Sequence, residues 1–387
     1  MIFTLEALQA HKGDALLLHY GDPAAPNLVV IDGGPNRTWE GLRARLDSLM
    51  EGTRPLTGDG KLPIRLVMIS HIDDDHIHGI LEMTDALLGE RDEEPPAYDI
   101  TAFWHNAFDD VIGRAAAAST ASVAGVQGVS AEEIPARLPV QHQAQLVLQS
   151  VNQGRRLRDN IARLGREGNL PFGGLVAEDH PENPVDMDAG LTFTVVGPAQ
   201  AEVDGLESEW DEQLNKKKKA RGGETQAMES IAAAYLDESA YNLSSIVVMA
   251  EMDGKRMLLT GDARGDHVLT GLEARGYLEP GGTLKVDVLK LPHHGSERNV
   301  EPEFFRRVVA DHYVVSADGE HGNPDPPTLK MLTEARGDAE YTIHLTNRVK
   351  WAVEFFEQDQ PGRNYKVAYR EDGQPSVRVE LGDPLPD

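Results

Sequence analysis

Short apolar runs with strand-like alternation open the chain: IFTLEAL (2–8), ALLLHY (15–20) and NLVVIDGG (27–34), punctuated by Gly13, Gly21 and the Gly33–Gly34 pair. That pattern predicts a small antiparallel sheet. Leu42, Leu46 and Met50 then recur at helical spacing over Thr38 to Met50, and RLVMIS (65–70) returns to a strand. Residues 105–187 differ. Their runs GRAAAASTASVAG and QHQAQLVLQSVNQGRRLRDNIARLG are rich in Ala, Gln and Leu and lack strand signals, which predicts a mostly helical insertion. Strand patterns resume at 191–198, 244–263, 285–296, 312–318, 341–346 and WAVEFF (351–356), and Asp253–Gly254 between two runs marks a hairpin. The polar stretch 199–240, which holds KKKKAR (216–221), reads as a surface loop with a helical portion. Strands and helices in alternation predict an α/β architecture in one domain, 1–387.

Composition narrows the chemistry. The chain has no cysteine, so any metal must be held by imidazole and carboxylate. No stretch reaches the roughly 20 apolar residues that span a bilayer, and the start MIFTLEALQAHKGD carries no basic flank, so the cytoplasm is the expected location. A net charge of -27 argues against non-specific binding to long duplex DNA through a basic surface. A metal site, however, supplies positive charge locally.

SHIDDDHIHG (70–79) follows the strand RLVMIS with far more acids and imidazoles than a turn requires. Two other strands end in ligand-type residues, LLTGDA with Asp262 and LPHHGS with His293 and His294. Strand ends are where open α/β sheets assemble sites. Between them they offer His71, Asp73, Asp75, His76, Asp262, His293 and His294, enough for two adjacent cations with Asp262 as a bridge. Two cations about 3.5–4 Å apart activate a shared water and clamp the oxygens of a displacement at phosphorus. Asp14 and Asp32, in GD and DGG turns, read first as turn residues and secondly as supports of ligand histidines; Asp74 and His78 read as solvated or supporting.

The arrangement H-x-D-x-D-H, then TGD, then HHGS resembles the metallo-β-lactamase superfamily, specifically its ComEC-type branch, named after a DNA-uptake protein. AHKGDALLLHYG, VVIDGG and VVSADGEHGNPDPP are similar to that branch's opening and closing strands, and only the insertion and the lysine-rich loop fall outside the likeness. The resemblance implies a four-layer αββα sandwich with a hydrolytic metal centre at one sheet edge. It places His71 at the first ligand position, Asp73 where most members carry a second histidine, Asp75 and His76 at the second metal, and Asp262 between the metals. One of His293 and His294 supplies the last histidine. No histidine precedes the TGD hairpin, where YNLSS puts Asn242 and Ser244, so the first site is expected to be weak or empty. Carboxylate in place of imidazole shifts the expected cofactor, one or two divalent ions, from Zn²⁺ toward Mn²⁺ or Mg²⁺. Ser296, Ser316, His321, Asn323 and Thr346 lie where the branch lines its substrate cleft.

The resulting expectation is a metal-dependent phosphodiesterase, a nuclease on DNA or RNA in which metal-bound hydroxide attacks phosphorus, with Asp75, Asp262 and His294 at the reacting centre. Arg155, Arg156, Arg158 and the run Lys216 to Lys219 are candidates to track a nucleic-acid backbone. The alternative is a small-molecule hydrolase of a phosphodiester, lactone or thioester, with the insertion as a lid. A third reading is a bacterial defence effector. In it a trypsin-like protease cuts the loop Lys216, Lys217, Lys218, Lys219, Arg221 and switches activity on. Independently of these readings, the helical insertion is a candidate surface for oligomerisation.

Overall fold

The structure is a computed structural model that describes residues 1–52, 54–91, 94–106, 152–201, 203 and 244–386. Two sheets carry the fold. The first has six strands in the order β14-β1-β2-β3-β4-β5, and the second has eight in the order β13-β12-β11-β10-β9-β8-β7-β6. In the first, β1 (Ile2–Leu8), β2 (Leu16–Asp22) and β3 (Ala25–Ile31) are antiparallel, as the opening alternation predicts, and β14 (Ser376–Glu380) pairs antiparallel with β1. Parallel pairing begins at β4 (Leu62–Met68) and continues to β5 (Tyr98–Trp104). The second sheet changes in the same way. Its β6 (Val185–Asp186), β7 (Thr192–Gly197), β8 (Val247–Met252) and β9 (Lys255–Leu259) are antiparallel, and β10 (Leu284–Lys290), β11 (Val308–Val315), β12 (Thr342–Leu345) and β13 (Lys366–Tyr369) add in parallel.

Strand alternation divides the apolar residues among three cores. Phe3, Leu5, Leu18 and Met68 from the first sheet meet Phe193, Val248, Val288 and Val314 from the second in one central core. The opposite faces are covered by helices. Leu17, Val30 and Val67 pack with Leu42 and Leu46 of α1 (Thr38–Glu51) and Ile77 and Ile80 of α2 (Asp74–Leu87). Met249, Leu258 and Leu289 pack with residues of α4 (Gly265–Ala274), α5 (Pro302–Arg307), α6 (Pro326–Arg336) and α7 (Lys350–Asp359). This is the αββα arrangement. No helix among the described residues is long and apolar enough to cross a membrane.

The hairpin at Asp253–Gly254 forms with positive φ at both residues, 49° and 73°, as a tight turn between twisted strands requires. WAVEFF, by contrast, is not a strand but lies within α7. Ala352 and Phe356 are buried, while Trp351 and Phe355 pack partly buried beside them, a helical spacing that the continuous apolar run disguised. Of the predicted insertion, residues 107–151 lie outside the described residues, 152–163 form a helix, α3, and 164–184 run mainly in turns and loops. The proposed cleavage run Lys216 to Arg221 and most of 199–240 also lie outside the described residues, as does Asn242. Helix α3 docks on α2 through polar pairs: Gln153 with Asp74, Arg156 with Asp85, and Asn160 with Thr84 and Asp85. Arg156, itself 58% exposed, is paired there with the nearly buried Asp85 carboxylate.

His105, just past β5, is a buried imidazole with no hydrogen-bond partner at either nitrogen among the described residues. Burial pushes it down to about 4 from 6.5. The unfolded chain therefore binds a proton that the folded one refuses, so this residue's contribution is complete above pH 6.5 and is lost as pH falls toward 4. His105→Phe keeps a ring there and removes the titration. Its melting temperature is expected to fall less between pH 6.5 and 4 than that of the parent protein.

Candidate metal centre

Three loops leave neighbouring strand ends and converge. The first, after β4, is short, because Asp73 is already the N-cap of α2 and Asp74, Asp75 and His76 are its first turn. Acidic residues are favoured there by the helix dipole. The Asp73 side chain makes no cap hydrogen bond and instead stands 3.6 Å from His71 Nε2. The second loop, after β9, brings Asp262. Gly261 ahead of it has φ 50°, and a Cβ there would lie 2.8 Å from Ser70 Cβ, so the approach of the two sheets at this point depends on glycine. The third follows β10, which is shorter than the predicted strand, and His293 and His294 both adopt the left-handed region with φ of 46° and 55°. Such strain is uncommon outside functional sites. It aims both imidazoles at Asp262.

The carboxylate of Asp262 divides the ligands into two sets. His71 Nε2 and His293 Nε2 each lie 3.6 Å from its Oδ2, and Asp73 is beside His71. His76 Nε2 and His294 Nε2 lie 3.2 and 3.6 Å from its Oδ1, with Asp75 Oδ2 3.7 Å from His294 Nε2. Two ligand atoms about 2.0–2.2 Å from one ion stand roughly 3–3.6 Å apart, and the ligand atoms of His76, His294 and Asp262, like those of His71, Asp75 and His76, all lie within 4.8 Å of one another. Where the sequence left His293 and His294 as alternatives, the structure brings both to Asp262, one to each oxygen.

Hydrogen bonds fix the tautomers. Asp32 Oδ2 accepts from His76 Nδ1 at 2.8 Å and from Ser70 Oγ at 2.7 Å, and Ser70 Oγ accepts from His71 Nδ1 at 3.1 Å. Asn299 Nδ2 donates to the Asp262 carbonyl, which turns its Oδ1 toward His293 Nδ1 at 2.7 Å. His294 Nδ1 donates to the Ser316 carbonyl at 3.0 Å. Each ring thus spends its one proton at Nδ1 and presents a lone pair at Nε2. His76 Nε2 and His294 Nε2 face each other at 3.2 Å beside Asp262 Oδ1, and neither His71 Nε2 nor Asp262 Oδ1 has a conventional hydrogen-bond partner among the described residues. Buried lone pairs converging without a donor call for a cation or a proton. The titration directions agree. Burial alone lowers His76, but Asp262 and Asp32 outweigh it and hold it well above 6.5; burial alone raises Asp262, but the four surrounding histidines hold it well below 3.8. The donor set fits a divalent ion.

No protein family's sequence profile matches the chain, and no curated protein sequence does. A solved structure is similar: the metallo-β-lactamase fold protein YhfI from Bacillus subtilis aligns over 98% of this chain and 100% of its own, with 10% identity and a TM-score of 0.38.

The remaining sequence candidates separate. Asp14 and Asp32 are not turn residues alone, since both are buried against ligand histidines. Ser316, expected on the cleft wall, is buried behind His294, and its hydroxyl donates to the Gly13 carbonyl. Thr346 is likewise buried and accepts from the Ala317 N–H. Ser296 is nearly buried, Asn323 is partly buried beside the His293 carbonyl, and His321 is exposed with Lys12 Nζ 3.3 Å from its Nε2. Asp74 and His78 form a pair on α2, with Asp74 also accepting from Gln153. The hydrogen bond to Asp74 and the Glu82 carboxylate 3.7 Å away raise His78 to about 9. Sequence reasoning missed Asn299 and Lys290. Nothing marks Asn299 in advance; Lys290 shares the strand parity of the buried Val286 and Val288.

Proposed function

We propose that the protein is a metal-dependent hydrolase and, within that class, a phosphodiesterase acting on nucleic acid. The observation that carries this reading is the division of four Nε2 lone pairs, three of them buried, between the two oxygens of Asp262, an arrangement suited to a pair of divalent ions. His71, Asp73 and His293 with Asp262 Oδ2 would hold one ion, and Asp75, His76 and His294 with Asp262 Oδ1 the other. When bound, such ions lower the pKa of a water and stabilise both the attacking and the leaving oxygen of an in-line displacement.

The protein's own groups define where substrate would lie. His71, His76 and His294 form the buried floor, while the side chains of Asp73, Asp75 and His293 are 34%, 23% and 33% exposed and form the open side. Three carboxylates, Asp73, Asp75 and Asp262, against two divalent ions leave one positive charge, which suits a phosphodiester anion better than a neutral lactone or thioester. The net charge of -27 favours a short single strand over a long duplex. Purified protein with Mn²⁺ or Zn²⁺ is expected to cleave single-stranded DNA or RNA and bis-p-nitrophenyl phosphate, and duplex DNA more slowly. Turnover of a lactam, lactone or thioester with none of the phosphodiesters would replace this reading by that of a small-molecule hydrolase.

A further inference from the structure

Lys290 is 1% exposed, at the last position of β10, four residues before His294. A lone buried ammonium is strongly unfavourable, so its partner matters. That partner is Asp14, also 1% exposed, whose Oδ2 lies 2.7 Å from Lys290 Nζ; the ammonium also donates to the Leu291 carbonyl at 3.1 Å. The other oxygen, Asp14 Oδ1, lies 3.4 Å from Nδ1 of His294. The pair therefore ends on the far side of a ring whose Nε2 faces the metal cluster.

The pair also spans the sandwich. Asp14 belongs to the loop between β1 and β2 in the first sheet, and Lys290 to the second. The ligands are divided in the same way, with His71, Asp73, Asp75 and His76 from the first half and Asp262, His293 and His294 from the second. The Asp14 loop is pressed on the ligand helix: Asp14 N–H donates to the Asp75 carbonyl at 3.2 Å, and a Cβ on Gly13 would come within 1.8 Å of that oxygen. Ser316, whose carbonyl holds His294, donates through its hydroxyl to the Gly13 carbonyl at 2.7 Å. Apolar residues of the same shape usually serve stability as well as a buried ion pair does, so this pair calls for another reason.

We infer that Lys290 and Asp14 are positioning residues for His294, an ion pair that locks the ring from one half of the fold against Asp75 and His76 from the other. The inference rests on the proposal that the cluster binds metal. Its test is Asp14→Leu with Lys290→Met, which removes both charges, keeps the bulk and leaves the net charge unchanged. Equilibrium dialysis with Mn²⁺ and Zn²⁺, read by elemental analysis, is expected to show one ion bound about 10–100-fold more weakly, the range typical for loss of a group that orients a ligand. The melting temperature of the chelator-stripped protein is expected to stay near that of the parent. His294→Ala added to the pair variant is expected to cost no more affinity than His294→Ala alone, because both act through one ring. If the apolar pair does not fold, Asp14→Asn with Lys290→Gln serves the same comparison. Parent-like affinity in the folded pair variant, or full additivity with His294→Ala, would overturn the inference. Absence of metal binding by the parent protein would instead overturn the proposed function.

Discussion

Asp262→Asn is expected to release both ions and to lower phosphodiester hydrolysis by at least about 10²–10³-fold, the loss typical when one preorganised electrostatic group is removed. One carboxylate serves both ligand sets, Oδ2 toward His71 and His293 and Oδ1 toward His76 and His294. The amide keeps the shape, removes the negative charge and turns an N–H toward lone pairs that need a cation. Metal content by elemental analysis and turnover of bis-p-nitrophenyl phosphate measure the two effects. Because Asp73 stands with the Oδ2 set and Asp75 with the Oδ1 set, Asp73→Asn and Asp75→Asn are each expected to weaken one ion and retain the other. Retention of both ions by Asp262→Asn would show that its carboxylate does not bridge them.

The candidate ligands were legible because SHIDDDHIHG holds more acids and imidazoles than a turn can use and two other strands end in ligand-type residues, Asp262 in LLTGDA and His293 and His294 in LPHHGS. What the sequence did not carry was the third dimension. HH in LPHHGS is locally symmetric, and only two consecutive left-handed residues send one ring to each oxygen of Asp262. Asp14 and Asp32 look like ordinary turn carboxylates until loops from other strands bury them. Lys290 had a signal, its parity with Val286 and Val288, but a lysine near a strand end is read as solvated by default. WAVEFF failed for a different reason: a short apolar run has no period of its own, and only the positions buried against the neighbouring helices and strands reveal the helix. The two sheets were legible at their antiparallel hairpins and less so at β13 and β14, whose alternation, KVAY and SVRVE, runs over only 4 and 5 residues.

Glu6→Gln is expected to destabilise the fold by on the order of 3–5 kcal/mol, a large share of the roughly 5–15 kcal/mol that holds a typical domain. Glu6 is fully buried in β1 and is the one carboxylate of a network that joins four elements. It accepts from Arg45 of α1 at 2.9 and 3.1 Å, from His19 of β2 at 3.0 Å and from the hydroxyl of Ser376 of β14 at 2.5 Å. Arg54 donates to the remaining nitrogen of His19 at 2.8 Å, so His19 is a neutral relay between a guanidinium and the carboxylate. Burial and the two arginines push it down to about 4 despite Glu6. Burial alone would raise Glu6, but His19 and Arg45 outweigh it and hold its carboxyl far below 4.5; its contribution is therefore full above pH 4.5 and is lost as pH falls below that value. The amide leaves Arg45 and Arg54, each nearly buried, without a counter-charge. Arg45→Ala is expected to cost less, since Glu6 keeps His19 and Ser376. Urea unfolding followed by circular dichroism measures both. The network shares no residue with the metal cluster, so the folded fraction of Glu6→Gln is expected to bind metal with the parent's stoichiometry, which separates loss of fold from loss of site.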